Sequence, residues 1–233
     1  MSQSLYSLWE DTATGPVRQR LYATLRQAII RLTLAPGQAL SEKEIADTFA
    51  VSRQPVREAF IRLSEAGLVE VRPQRGTFVV KISPQAVYSA RFVREAIEVA
   101  VAKSAAESGL SRRGLDELHE LVERQRRTLG SDDYERFYLL DEAFHQTLSR
   151  EAGHASAWRF TEEVKAHFDR VRYISMPDGT PLETLVAQHE RIVGAIAERD
   201  PAAAERAVQA HLRELLTSLP RLIERHPELF AEC

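Results

Sequence analysis

The chain has 233 residues, 44% of them apolar and 28% charged, with a net charge of −3 and a single cysteine. That length makes one large domain or two small ones, with enough buried surface to need no disulfide or metal to supply a core. No apolar run exceeds four residues, which excludes a transmembrane helix; the N-terminus lacks the basic-then-apolar order of a secretory signal; and Cys233 alone forms no internal disulfide, so a soluble cytoplasmic protein with no membrane partner is expected.

The net charge hides an asymmetry. Residues 16–82 carry eleven Lys and Arg against six Asp and Glu, whereas residues 83–233 carry twenty against twenty-six. A basic block on an acidic body points to a polyanion at one end, although ordinary surface charge accounts for such an excess as well.

In chain order, residues 1–15 are polar and aperiodic and read as a tail. A helix is expected from Val17 to Leu34, with Leu21, Leu25, Ala28, Ile29 and Leu32 on one face, stopped by Pro36-Gly37. Ser41-x-x-Glu44 is a capping box that opens a short helix to about Phe49. Ser52 can cap a third helix, with Pro55 in its first turn, a buried face of Val56, Ala59, Phe60 and Leu63, and Gly67 just past its end. Leu68–Val71 and Thr77–Val80 then read as short strands joined by the turn Arg72-Pro73-Gln74-Arg75-Gly76. After residue 82 the pattern is helical throughout. Ser83-Pro84, Thr180-Pro181 and Asp200-Pro201 mark helix starts, Thr180-x-x-Glu183 adds a second capping box, and breaks fall near Gly109, Gly130 and Gly153. The fold class expected is mainly α: a winged helix-turn-helix domain at 16–82, then an antiparallel all-α bundle of six or seven helices at 83–233.

A recognition helix buries one face and offers its N-terminal residues to the major groove. Arg53, Gln54 and Arg57 lie opposite the apolar face, and arginine is suited to a bidentate grip on guanine. Ser52 and Lys43 are candidate phosphate contacts. Arg72, Gln74, Arg75 and Gly76 make a basic tip that suits a minor-groove wing. For any one of these arginines a solvated helix face is the alternative; the whole set in this order favours DNA.

Leu34-x-Pro36-Gly37, Leu40-Ser41-Glu42-x-x-Ile45-Ala46, Val51-Ser52-Arg53-x-Pro55-Val56-Arg57-Glu58-Ala59, Leu63-x-x-x-Gly67-Leu68 and Arg75-Gly76-x-Phe78-Val79 resemble the GntR family of bacterial transcription regulators. The residues after 82 resemble the FCD effector domain of its FadR-type branch. The resemblance implies DNA contacts at Lys43, Ser52, Arg53, Arg57, Arg75 and Gly76, and repression relieved by a small ligand.

In the second half, Asp141-x-x-x-His145 puts a carboxylate and an imidazole on one helix face beside Leu140, Phe144 and Leu148. His189 and His211 border apolar stripes on two further helices. Converging, these four would make a mixed N/O site suited to a divalent metal such as zinc, nickel or manganese. Singly, each histidine is as well explained as a satisfied core or surface residue. The resemblance implies metal ligation at all four positions. It also implies that Arg94 faces an effector cavity, where a guanidinium clamps a carboxylate; an intrahelical pair with Glu98 is the alternative. Arg172 and Tyr173 are further effector candidates.

No catalytic role is expected. His119-Glu120-x-x-Glu123 and His189-Glu190-x-x-Val193 lack the second histidine of a zinc-protease motif, and there is no phosphate-cradling glycine loop. The expected protein is a homodimeric regulator that binds double-stranded DNA with a palindromic operator and answers to a small carboxylate or sugar acid held at a metal-containing site. The alternatives are a metal sensor in which the ion itself is the signal, and a metal-dependent lyase or hydrolase with a DNA-binding appendage.

Overall fold

A computed structural model describes residues 2–11 and 15–232. The chain is mainly helical and divides into two compact units, Met1–Ala86 with His226–Cys233, and Val87–Arg225. Among the described residues no helix is long and apolar enough to cross a membrane.

The first unit contains α1 (Ser2–Asp11), α2 (Val17–Ile30), β1 (Ala39–Leu40), α3 (Glu42–Thr48), α4 (Arg53–Glu65), β2 (Val69–Arg72) and β3 (Gly76–Val79). Its core is the set that helical periodicity selects: Leu21, Leu25, Ala28 and Ile29 of α2 against Val56, Ala59, Phe60 and Leu63 of α4. Burying each large apolar side chain stabilises the unit by about 1.5–3 kcal/mol. Ser41 accepts the amide of Glu44 (3.3 Å), which starts α3 at the capping box. Ser52 stands extended at the N-cap of α4 but makes no side-chain cap bond. Gly67, at φ +67°, ends the helix as a left-handed residue. The wing is antiparallel, with Val69 opposite Val79 and Arg72 opposite Gly76. Its turn needs left-handed backbone at Gln74 and Gly76.

Three features depart from the sequence reading. Residues 2–11 are a helix rather than an irregular tail: Leu5 and Leu8 are buried, and Trp9 lies between the Phe49 ring (4.9 Å) and the Arg20 guanidinium (3.8 Å). Residues 12–14 of the expected tail lie outside the described residues. Helix α2 ends at Ile30, because the Leu34 amide turns back to the Ala28 carbonyl (3.0 Å) and buries Leu34. A third strand, β1, pairs with β3 and gives the order β1-β3-β2.

The segment after residue 225 completes this unit. The Ile82 amide donates to the Leu229 carbonyl (2.9 Å), and the Ala231 amide donates to the Ile82 carbonyl (2.8 Å). Phe230 is buried beside this parallel bridge.

Among the described residues the second unit is built on seven helices, the first of which starts just before it: α5 (Pro84–Ser108), α6 (Arg112–Arg126), α7 (Tyr134–Glu151), α8 (Ala155–Val164), α9 (Ala166–Asp178), α10 (Leu182–Ala197) and α11 (Pro201–Arg225). Asp200 caps α11 through the Ala203 amide (2.9 Å). Thr180 does not cap α10. Its amide closes the end of α9 on the Ser175 carbonyl (3.1 Å), and α10 starts at Leu182 after an extended Pro181. The break at Lys165, between α8 and α9, was not visible in the sequence. Lys165 is fully buried there and held by carboxylates of α7 and α9.

Phe230→Ala should destabilise the first unit by roughly 3–5 kcal/mol. Hydrogen exchange checks this: the Ile82 and Ala231 amides should lose protection while those of α6 keep theirs.

Candidate functional site

Two regions carry chemistry, one in each unit. In the first, Lys43, Ser52, Arg53, Gln54 and Arg57 are all exposed, Lys43 in the first turn of α3 and the others at the start of α4. Arg57 is not unattached. Its Nε and Nη2 each donate to a Glu42 carboxylate oxygen, both at 3.1 Å. Gln54 donates to Glu58 one turn on (3.2 Å). At the wing, Arg72, Gln74, Arg75 and Gly76 are exposed; Arg72 is paired with Glu70 and lies 4.6 Å from the Phe78 ring centre.

The second region is the core of the helical unit. Asp141 and His145 of α7, His189 of α10 and His211 of α11 are all buried, and one ligand atom from each lies within 4.8 Å of the others. His145 Nε2 is 3.2 Å from His211 Nε2, and His189 Nε2 is 3.3 Å from His211 Nε2. Asp141 Oδ1 stands 3.4 Å from His189 Nε2, and Oδ2 stands 3.9 Å from His145 Nε2. Four ligands at about 2.0–2.1 Å from a zinc-sized ion would be about 3.3 Å apart on a tetrahedron.

The surroundings explain why these atoms face inward. Each Nδ1 meets an oxygen that accepts: Glu98 Oε2 for His145 (2.8 Å), Gln125 Oε1 for His189 (2.7 Å) and Gln188 Oε1 for His211 (3.0 Å). The two amides are oriented by donation elsewhere, Gln125 to the Leu140 carbonyl (3.2 Å) and Gln188 to Glu214 (2.9 Å). Burial pushes His189 down to about 3 and His211 well below the ordinary histidine value, so both rings are neutral near pH 7. With Nδ1–H committed outward, their Nε2 lone pairs point at one another and at a carboxylate. Asp141 Oδ1 has no hydrogen-bond donor among the described residues, and Oδ2 is ion-paired with Arg172 Nη1. A shared proton could bridge one pair of these atoms, whereas a cation at their centre would satisfy all four.

A second ring of charge surrounds this set. Arg94 donates from Nε to Glu98 (2.6 Å). Arg172 Nη1 is 3.1 Å from Asp141 Oδ2, and its Nη2 is paired with Glu142. Lys165 bonds Glu142 and Asp169 (2.7 Å to the latter). Burial alone would raise the Asp141, Glu98 and Glu142 carboxyls; Arg172 beside Asp141 lowers it, and Arg94 and Lys165 hold Glu98 and Glu142 well below the usual range.

A small cavity opens beside the four candidate ligands. Asp141, His211, Arg94 and Arg172 line it with Ser175 and Thr180, and Phe168, Leu185, Leu212 and Leu215 form its apolar wall. Arg94 Nη2, Arg172 Nε and Thr180 Oγ1 are buried with no hydrogen-bond partner among the described residues. Arg94 makes the intrahelical pair with Glu98 and also lines the cavity. Tyr173 does not line it; its ring packs edge-on against Tyr138 (5.9 Å). His119 and His154 are exposed, and neither they nor His167 and His226 join the cluster. Sequence reasoning missed Gln125, Gln188 and Lys165, and gave Glu142 and Asp169 no part in this charge network. The Lys165–Asp169 spacing of four was the one available signal.

Comparison with known proteins agrees with this division. A family model described as bacterial regulatory proteins, gntR family, matches residues 17–79, and one described as FCD domain matches 90–214. The chain is 43% identical over 219 residues to the HTH-type transcriptional repressor RspR of Escherichia coli (strain K12), covering 94% of this chain and 96% of that protein. It is 41% identical over 215 residues to an HTH-type transcriptional regulator in an unstable DNA locus of Streptomyces ambofaciens, covering 92% of this chain and 89% of that one. A solved structure, E. coli McbR/YncC, shares the fold with a TM-score of 0.76 at 18% identity, over 91% of this chain and 100% of that one.

Lys165→Ala should cost the second unit about 3–5 kcal/mol, because it takes from Glu142 and the buried Asp169 the cation that bonds both and leaves them to Arg172. Urea unfolding followed by Trp158 fluorescence in a Trp9→Phe background checks this, since the Trp158 ring centre is 5.1 Å from Lys165 Nζ.

Proposed function

The chain belongs to the GntR family of bacterial regulatory proteins and carries an FCD domain, and from that premise we propose that a small carboxylate, held beside a divalent metal in the helical unit, controls its grip on DNA. It is a DNA-binding transcription regulator, and its relatives are regulators rather than enzymes. We further read it as a homodimeric repressor, with two winged units meeting a palindromic operator.

The observation that carries the metal and effector reading is the inward convergence of three Nε2 atoms on Asp141, each ring anchored from behind. Asp141, His145, His189 and His211 would hold the ion. Three imidazoles and one carboxylate suit zinc, nickel or manganese, and such a set leaves coordination positions open to water or an anion. When bound, the ion supplies positive charge and a place for a ligand oxygen.

The chain's own groups supply the rest. Three cations (Arg94, Arg172, Lys165) face four carboxylates (Glu98, Asp141, Glu142, Asp169) around the centre. A divalent cation over-compensates that excess of one negative charge, which favours a singly charged anion. Arg94 Nη2, Arg172 Nε and Thr180 Oγ1 are the donors for its carboxylate and hydroxyl groups, and the Phe168–Leu212–Leu215 wall excludes water. To change operator affinity tenfold, the anion needs only about 1.4 kcal/mol of preference between two states of the protein.

On the DNA side, Arg53 and Arg57 read bases from the start of α4, Lys43 and Ser52 contact phosphates, and Arg72, Arg75 and Gly76 enter the minor groove. Arg53→Ala should cost roughly 1–3 kcal/mol of specific binding and relax selectivity at one base step. Footprinting on a selected site checks this, and an unchanged footprint overturns the assignment. The effector site is tested by melting the metal-loaded protein against a panel of small hydroxycarboxylates. A cognate ligand at a hundred times its dissociation constant adds about 2.7 kcal/mol. His189→Ala should lose bound metal by elemental analysis and lose the carboxylate shift with it; equal metal content would overturn the site.

A further inference from the structure

The tie between Arg57 and Glu42 lies where base reading is proposed. Glu42 sits in the first turn of α3 and Arg57 in the second turn of α4, fifteen residues later. The Arg57 side chain is 60% exposed and that of Glu42 32%, so the pair lies at the surface. Both Glu42 oxygens are engaged, each at 3.1 Å, and both take protons from the same edge of the guanidinium, Nε and Nη2.

An arginine has two such edges. Either one fits guanine O6 and N7, because both present two parallel N–H bonds in one plane. With the Nε/Nη2 edge occupied by a carboxylate, the plane of Arg57 is fixed and the Nη1/Nη2 edge remains for a partner. An unbraced exposed arginine must give up rotamer freedom when it docks on a base; a braced one has already done so. The brace has an electrostatic cost, since it places a carboxylate near the phosphates of any DNA bound there. Helix capping does not explain the contact. At the start of α3 the Glu44 amide donates to Ser41 Oγ, and the Glu42 carboxylate turns to the neighbouring helix instead.

We propose that Glu42 is a positioning residue for sequence recognition, holding Arg57 by one guanidinium edge so that the other is presented to a guanine. This rests on the reading that Arg57 meets bases. Glu42 then governs selectivity at a single step of the operator at the expense of general affinity for DNA.

The test uses the full-length chain and a pool of duplexes with a randomised central segment, selected and sequenced in parallel for each variant. The unsubstituted protein should enrich a motif with a guanine at one step of each half-site, and Arg57→Ala should lose the preference there. Glu42→Gln should keep the rest of the motif but weaken that guanine preference about tenfold, at the lower end of what a bidentate contact contributes. It should also bind the unselected pool more tightly, because a negative charge is gone. Glu42→Asp keeps the charge but shortens the reach, so it should weaken the preference without that gain. A guanine preference unchanged or sharpened in Glu42→Gln, with Arg57→Ala still losing it, overturns the positioning role alone. A motif unchanged in Arg57→Ala overturns the base-reading assignment and the proposal together.

Discussion

The helical unit is organised by one demand: electron-rich atoms that face one another away from water need something positive between them. Asp141, His145, His189 and His211 come from three helices and meet in the core, all buried. Glu98, Gln125 and Gln188 stand behind the rings and hold the imidazole protons outward. Arg172 reaches Asp141 from α9, and Lys165 gathers Glu142 and Asp169 at the break between α8 and α9. This concentration of buried charge is costly, since apolar residues of similar size would pack there at lower cost.

The two halves of the molecule use arginine in opposite ways. Arg94 and Arg172 are buried, and their charge is matched by carboxylates at fixed distances. Arg53 and Arg75 stand in solvent, where charge is inexpensive and a polyanion can claim it, and Arg57, also exposed, is tied to Glu42 by one guanidinium edge only. The sequence distinguishes them through their neighbours: the exposed set follows a cap and a turn at the start of amphipathic segments, whereas the buried set sits within helices flanked by Val, Ile and Phe.

Much of this was legible from one sequence because it is local. Pro36-Gly37, Gly67 and Gly76 punctuate the winged unit wherever the backbone must turn, and the apolar face of α4 follows from helical periodicity. Asp141 and His145 share a face by spacing alone, and His189 and His211 stood out as histidines beside apolar stripes. What escaped depends on contacts between distant segments. Helix α1 has only Leu5, Leu8 and Trp9 to mark it, and it is held by α2 and by Phe49 rather than by its own composition. Strand β1 is two residues long and exists through its pairing with β3. Gln125 and Gln188 look like any surface glutamine until the histidines they support are in place. The break at Lys165 carries neither proline nor glycine.

The short pairing of Ile82 with the segment that follows α11 bears on the order in which the molecule is made. Residues of the winged unit leave the ribosome first, but Phe230, which is buried in that unit, comes after the whole helical unit has been synthesised. At roughly 5–20 residues per second, the slot beside Ile82 stays open for on the order of ten seconds. A polypeptide interrupted anywhere within the helical unit would carry a winged unit that lacks Phe230 and the bridge to Ile82.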